Sequence, residues 1–476
     1  MAHLHASRLD AYPPHDEAAL DKLLRAEIEA NPHKIIVLDD DPTGVQTVHD
    51  ISVYTDWSAD SIARGFDEDA KVFYILTNSR GLTAEESARI HKDIARLVIE
   101  TGKRKQRPWL IMSRSDSTLR GHYPMETEIL AESIGSAGGS VDGEIICPFF
   151  KEGGRFTIDD THYVRYGDDL VPAGETEFAK DKTFGYTKSN LCEYVEEKTG
   201  GRHKACDVIT ISLEDLRQHN FDKIEQLLLS AHDFQKIVVN AVDYGDIKAF
   251  CIPLYRAIGK GRNFVFRTAA GLVKELGGIT TIPLLSREQM LGEESDKGGM
   301  IVVGSHTAKT TAQLKKLLEL PNVQGIEFDS DLVLQGDAAL AGEVDRVVAE
   351  AEKLIARGIT PVCYTKRQLL SLPDDTKEDA LRRSVKISDA VQSLVGQLGI
   401  KPAFVIAKGG ITSSDVGVKA LRTRRANVLG QVRPGIPVWQ TDENSKFPGI
   451  PYVIFPGNVG EEETLRETVE ILTGKN

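Results

Sequence analysis

Short runs of β-branched and aromatic residues, each closed by Gly, Asp, Asn or Ser, recur along the chain at intervals long enough to hold a helix. In the first half they fall at 34–40 (KIIVLDD), 71–79, 109–116, 144–150, 207–213, 236–242 and 263–268. Nearly continuous apolar content over so short a run predicts strands covered on both faces. Helix-period patterns lie between them, as at 84–100, where Ala88, Ile90, Ile94, Leu97 and Val98 form one apolar stripe over a charged face. A second series follows, with strands at 300–305, 360–365, 402–410 and 452–457 and helices at 338–357 and 377–398. Strand alternating with helix restricts the chain to the α/β class, as two domains that are each a largely parallel sheet covered by helices.

The length agrees, because 476 residues is about three times the usual domain. The stretch 285–299 is rich in charge and glycine and poor in apolar residues, so the linker is placed there. That gives a first domain at 1–290, with an N-terminal helical extension, and a second at 300–476. Hydrophobic residues at 41% and charged residues at 27% are those of an ordinary globular protein and exclude a disordered or collagen-like chain. Acidic residues outnumber basic ones by 71 to 58, a net charge of -13, which argues against a nucleic-acid partner. An acidic protein that handles an anion must gather positive charge locally or bring in a divalent cation. The five cysteines form no CxxC and no zinc spacing, as expected of reduced thiols in the cytoplasm. Charges and prolines fill the first residues, and no apolar run is long enough to cross a membrane.

Three strand ends of the first half carry chemistry. Asp39, Asp40 and Asp41 close the first strand and lead into Pro42, Thr43 and Gly44. Ligands of open α/β sheets bind outside the carboxyl edge, where these carboxylates crowd. Their mutual repulsion raises the proton affinity of at least one of them, which suits a general base, a metal ligand or a grip on sugar hydroxyls. The next two strands end in 77–81 (TNSRG) and 113–121 (SRSDSTLRG), adding Arg80, Arg114, Asp116, Arg120 and several hydroxyls. Guanidinium forks match carboxylates and phosphates bidentately. The combination describes a pocket for a small polyhydroxy anion. The plainer alternative is a set of capping aspartates and surface ion pairs.

In the second half, three strands end in glycine turns followed by helical patterns: Gly304-Ser305-His306-Thr307, Lys408-Gly409-Gly410-Ile411-Thr412, and Pro456-Gly457-Asn458-Val459-Gly460. Such turns let backbone N–H groups approach a phosphate at a helix start, although tight α/β junctions with Ser or Thr caps need glycine as well. GxxxxGK[ST], GxGxxG after a strand, HExxH and GxSxG are all missing, which removes the usual support for a P-loop enzyme, a dehydrogenase, a zincin or a serine hydrolase. Only His122 and His306 stand near these segments, where capping or packing is the simpler role for each.

The strings Asp40-Asp41-Pro42-Thr43-Gly44, Asn78-Ser79-Arg80 and Asp116-Ser117-Thr118-Leu119-Arg120-Gly121, followed by Glu126, closely resemble the four-carbon acid sugar kinase family. Val303-Gly304-Ser305 with Gln313, Gly409-Gly410-Ile411-Thr412 and Pro456-Gly457-Asn458 resemble that family's nucleotide-binding domain. The resemblance implies an N-terminal domain for a sugar acid and a C-terminal domain for ATP, with the γ-phosphoryl passing to a hydroxyl across a cleft. The chemistry of phosphoryl transfer adds the expectation that Mg²⁺ bridges the β- and γ-phosphates with few protein ligands. The resemblance assigns the substrate to Asp40, Asp41, Arg80, Arg114, Ser115, Asp116, Ser117 and Thr118. The nucleotide falls to Ser305, Ala407, Lys408, Gly409, Gly410, Thr412, Gly457 and Asn458. On that footing Asp41 or Asp116 orients or deprotonates the hydroxyl, and Arg80 and Arg114 take the carboxylate. Ser113 and Arg114 stand where many relatives carry two lysines, and the aspartate cluster has a third member, which leaves threonate, erythronate, 3-oxo-tetronate and larger branched 3-oxo acids open as substrates. A sugar-acid sensor without chemistry, or an isomerase or aldolase of sugar phosphates, would use the same features differently. A homodimer is the base-rate expectation for the assembly.

Overall fold

In the computed structural model, which describes residues 3–292, 295–368, 370, 372, 376–457 and 459–474, the strand Lys34–Asp39 is buried at every position. It pairs in parallel with Val72–Leu76 on one side and Trp109–Arg114 on the other. Phe264–Thr268, Gly143–Cys147, Gln235–Val239 and Ile209–Ile211 continue the sheet beyond Trp109–Arg114, all in parallel. Burial on both faces requires two helix layers, and the helices do form two groups. Ala59–Asp67, Ala84–Lys105 and Met125–Ser136 pack together, and Glu17–Ala30, Phe221–Ser230 and Ala270–Leu276 pack on Tyr244–Gly259. The chain leaves Lys34–Asp39 toward one edge and returns to Trp109–Arg114 on its other side. This reversal between adjacent strands is the switch point at which open sheets bind ligands.

Two compact units divide the chain. One comprises residues up to Val48 together with Asp56–Thr281, and the other His49–Thr55 together with residues from Ile282 onward. The first also holds a small antiparallel sheet in the order Leu4–His5, Asp169–Pro172, Thr161–Tyr166, Arg155–Ile158. The second contains five parallel strands in the order Val323–Phe328, Thr360–Thr365, Met300–Val303, Val405–Lys408, Pro451–Phe455. Ile436–Thr441, Arg425–Arg433 and Ile51–Tyr54 extend it antiparallel. Residues 49–55, inside the first domain by sequence order, therefore belong to the second unit's sheet. The stretch expected to link the domains is partly structured: Arg287–Leu291 is helical, and Leu285 and Met290 are buried in the second unit's core beside Val303, Val432 and Leu472. Its spare apolar residues are enough to dock it.

Among the described residues no helix is long and apolar enough to cross a membrane. All five cysteines are free, four of them buried.

Candidate functional site

The switch point of the first sheet gathers the residues that the sequence nominated. The backbone N–H of Asp40 donates to the Arg114 carbonyl at 3.2 Å, and Thr77 donates to the Asp39 carbonyl through its N–H and its hydroxyl, both at 2.9 Å. The three strand ends are thus laced together through their backbones and the Thr77 hydroxyl before any charged side chain interacts. Asp41 is held by the Thr43 N–H at 2.8 Å, by the Thr43 hydroxyl and by Arg80. Arg80 Nη1 also lies 3.2 Å from Asp116 Oδ1, whose other oxygen accepts from Arg120 Nε at 2.7 Å and from Thr118. Arg114 pairs with Asp39 at 3.1 Å and stands 3.6 Å from Asp40 Oδ1. The Asp116 N–H donates to Asp40 Oδ2 at 3.2 Å. Gly44 makes this packing feasible, because a Cβ there would fall 2.0 Å from Asp39 Oδ1.

The four aspartates differ in proton affinity for reasons the geometry supplies. Burial raises Asp39 to about 8 against the pull of Arg114, and burial also raises Asp40 against Arg80 and Arg114. At Asp41 burial acts in the same direction, but Arg80 and the Thr43 hydrogen bonds outweigh it and lower the carboxyl. Asp116 is largely buried, which raises it, yet Arg80 and Arg120 hold it well below the usual carboxylate range. Asp40 Oδ1 is buried without a hydrogen-bond partner. A raised proton affinity and an acceptor oxygen without a hydrogen bond, although 3.6 Å from Arg114, therefore coincide on Asp40.

A further shell fixes this one. Glu126 accepts from Ser79 at 2.6 Å and Ser87 at 3.2 Å, and lies 3.4 Å from Arg267, which also contacts Ser115 and the Arg120 carbonyl. His122 Nε2 sits 3.0 Å from the carbonyls of Ser79 and Leu82, a positioning role consistent with the simpler expectation for it. The carbonyls of Ser117, Thr118 and Leu119 accept from His162 at 2.8 Å, Tyr186 at 2.7 Å and Tyr194 at 2.9 Å. His162, Tyr186 and Tyr194 lie in no motif and act on backbone carbonyls of the 116–121 string, a contact that side-chain identity alone does not signal.

In the second unit the glycine turns also converge at a switch point, between Met300–Val303 and Val405–Lys408. A Cβ on Gly304 would lie 2.3 Å from Thr412 Oγ1, one on Gly409 3.3 Å from Ser305 Cβ, and one on Gly457 3.7 Å from Ser305 Oγ. Gly409 has φ +119°, a conformation closed to other residues in practice. Thr310 donates to Ser305 Oγ at 3.1 Å and to the Gly457 carbonyl at 3.3 Å, and Gln313 ties down the carbonyls of Val459 and Glu461. The Ala407 carbonyl accepts from Ser413 at 2.9 Å, which seats Gly410–Asp415 on the strand end. Asn458 lies outside the described residues. Beside the turns a cavity of about 560 Å³ runs between Gly304 and Thr412 at one end and Leu370, Leu372, Ile387, Val391 and Ile411 along its wall. Ile411 is 73% exposed, an apolar surface of the kind a planar base covers. The sequence named the turns but not this wall, because the period of Lys377–Gly396 reads as ordinary core packing.

Lys408 Nζ donates to the carbonyls of Pro456 at 2.6 Å and Gly457 at 3.2 Å. Burial, with a smaller push from Lys309, lowers it to about 7 from the ordinary 10.5. The folded value lies below the unfolded one, so this group's contribution to stability rises from about pH 7 to about pH 10.5, and its full cost is felt below pH 7. A polyphosphate placed here would raise the lysine again. Nucleotide binding at pH 8 is therefore expected to take up as much as about one proton, read by calorimetry in buffers of different ionisation enthalpy. Lys408→Met is expected to abolish the uptake; an unchanged uptake would place the phosphates elsewhere.

A sheet edge of carboxylates and guanidiniums in one unit, and a glycine-lined edge beside an apolar cavity in the other, are those of a two-domain protein that binds a polar small molecule and a nucleotide. Residues 35–276 match the sugar-binding N-terminal domain family, and residues 300–465 match the nucleotide-binding C-terminal domain family. The chain belongs to the family built from these two domains, that of the four-carbon acid sugar kinases. Among solved structures it is similar to the Haemophilus influenzae protein HI1011 of the DUF1537 family, at 15% identity over 92% of this chain and 100% of that one, with a TM-score of 0.62. It is also similar to a Salmonella typhimurium LT2 protein described provisionally as a tRNA synthase, at 14% identity over 91% and 98% of the two chains, with a TM-score of 0.66. At such identities the likeness is one of fold. No curated protein matches the chain in sequence.

Proposed function

We propose that the protein is an ATP-dependent kinase that phosphorylates a hydroxyl of a small sugar acid, with a four-carbon acid as the leading class. The observation that carries this reading is Asp40: a buried carboxylate of raised proton affinity with one oxygen free of hydrogen bonds, set among Arg80, Arg114 and the hydroxyls of 115–118. Phosphoryl transfer asks little covalent work of a protein beyond positioning, charge neutralisation and a place for the hydroxyl proton. Asp40 Oδ1 accepts that proton as the hydroxyl oxygen bonds to the γ-phosphorus and the bond to the β-phosphate oxygen breaks, releasing ADP. The sequence offered Asp41 or Asp116 for this step, but the guanidiniums that lower both make them poor proton acceptors and good anchors. Arg80, shared between Asp41 and Asp116, holds the two loops in register.

The N–H groups of the Gly304, Gly409 and Gly457 turns take the phosphates, Lys408 adds charge, and the cavity walled by Ile387, Val391 and Ile411 takes the base. Among the described residues no three His, Cys, Asp or Glu side chains group as metal ligands. Mg²⁺, held through the nucleotide phosphates with most of its waters kept, would supply charge neutralisation at the β- and γ-phosphates.

Coupled-enzyme detection of ADP over a panel of four- and five-carbon sugar acids tests the proposal. One acid is expected to raise ADP formation far above the rate with ATP alone. Binding of both ligands with no ADP from any acid would favour a sensor.

A further inference from the structure

The guanidiniums nearest the carboxylate cluster are already committed. Arg80 is divided between Asp41 and Asp116, Arg114 between Asp39 and Asp40, and Arg267 among Ser115, Glu126 and the Arg120 carbonyl. Arg120 donates to Asp116 at 2.7 Å and lies 3.9 Å from Asp181. Each could turn to a substrate carboxylate only by abandoning a buried or largely buried anion, which is unfavourable.

Arg155 differs. It opens the strand Arg155–Ile158 of the small antiparallel sheet, outside every motif of the sequence. Its guanidinium lies 5.6 Å from the centroid of the Phe178 ring, and that of Arg120 lies 5.1 Å from the same ring. Among the described residues the Arg155 side chain forms no ion pair and no hydrogen bond, and its Nε is buried without a partner. Burial lowers its proton affinity, and the carboxylate that opposes this most strongly is Asp116, which places Arg155 within the field of the candidate substrate site. Arg155 is half-buried, so its Nε is cut off from water while the rest of the fork stays open to an incoming anion, which would supply the missing acceptor. The aromatic face beneath it keeps the planar fork extended, the form that grips a carboxylate with two parallel hydrogen bonds.

We propose that Arg155 binds the carboxylate of the sugar acid, the role that sequence reading gave to Arg80 and Arg114. The inference rests on the kinase reading for the identity of the ligand as a sugar acid, and not for its charge. Phe178 supports the guanidinium, and Asp116 with Arg120 fixes the distance between the carboxylate end and the hydroxyl end of the substrate. Neutral tetritols lack the group that Arg155 takes and bind poorly.

Calorimetry and thermal-shift titrations of the full chain with erythronate, threonate, erythritol, threitol and inorganic phosphate, without nucleotide, test this. The wild-type protein is expected to bind a sugar acid in preference to the matching tetritol. Arg155→Gln is expected to lose about tenfold or more in affinity for the acid, with Arg155→Lys in between. The unliganded Tm of Arg155→Gln is expected to stay at or above that of the wild type, since the half-buried side chain makes no ion pair or hydrogen bond that the substitution would break. Wild-type affinity in Arg155→Gln, a lowered unliganded Tm, no binding of either acid by the wild type, or tighter binding of phosphate than of the acids would each overturn the assignment. The kinase reading fails separately: an acid that binds through Arg155 yet yields no ADP with ATP leaves the assignment standing. ADP formed with an unchanged KM for the acid in Arg155→Gln does the reverse.

Discussion

Replacing Asp40 with asparagine is expected to lower turnover by about a thousandfold, the middle of the range for loss of a general base, and to leave ATP affinity unchanged. The substitution keeps the shape of the side chain and an oxygen for the Asp116 N–H, now 3.2 Å from Asp40 Oδ2. What it removes is the capacity to take a proton. Because burial raises the Asp40 carboxyl, the base form is lost as pH falls through a value above the usual carboxylate range, and kcat/KM is expected to fall on that limb. The limb is expected to vanish in Asp40→Asn. Asp116→Asn makes the contrast: it takes a charge from between Arg80 and Arg120, so the larger effects are expected in KM for the acid and in Tm. Steady-state kinetics on both variants decides. A near-normal kcat in Asp40→Asn with a collapsed kcat in Asp116→Asn would return the base to the position that the sequence suggested.

Gly409→Val is expected to weaken ATP binding by about tenfold or more while sparing the sugar acid. The backbone at φ +119° costs a residue with a side chain about 1–3 kcal/mol, and a Cβ there would press on Ser305 Cβ at 3.3 Å and Thr412 Oγ1 at 3.4 Å. Relief of either strain shifts the turn whose N–H groups are proposed to take the phosphates. Calorimetry with a non-hydrolysable ATP analogue reads the loss directly; wild-type affinity would mean that the turn is only a tight junction.

The parallel strands were legible because burial on both faces leaves almost nothing but apolar residues in them, as in Lys34–Asp39 and Met300–Val303. The antiparallel ones were not. Arg425–Arg433 alternates buried and half-buried positions with polar residues among them, and Ile51–Tyr54 is too short to stand out from a loop. Ile51–Tyr54 joins the second unit's sheet although its neighbours in sequence belong to the first, and no local pattern encodes that. The carboxylate cluster was readable from its place at a strand end. The division of labour within it was not, since Asp40 and Asp41 are adjacent residues of one type whose proton affinities move in opposite directions according to the groups that tertiary packing sets against each. Arg155 lay hidden for the same reason: an arginine without a partner is a property of the fold, invisible in a run such as GGRFTID.

The most direct test of the kinase assignment is ³¹P NMR of the protein with Mg²⁺, ATP and the sugar acid that binds best. A phosphomonoester resonance growing in step with ADP is the expected result. ADP accompanied only by inorganic phosphate, or no ADP while both ligands stay bound, would contradict it.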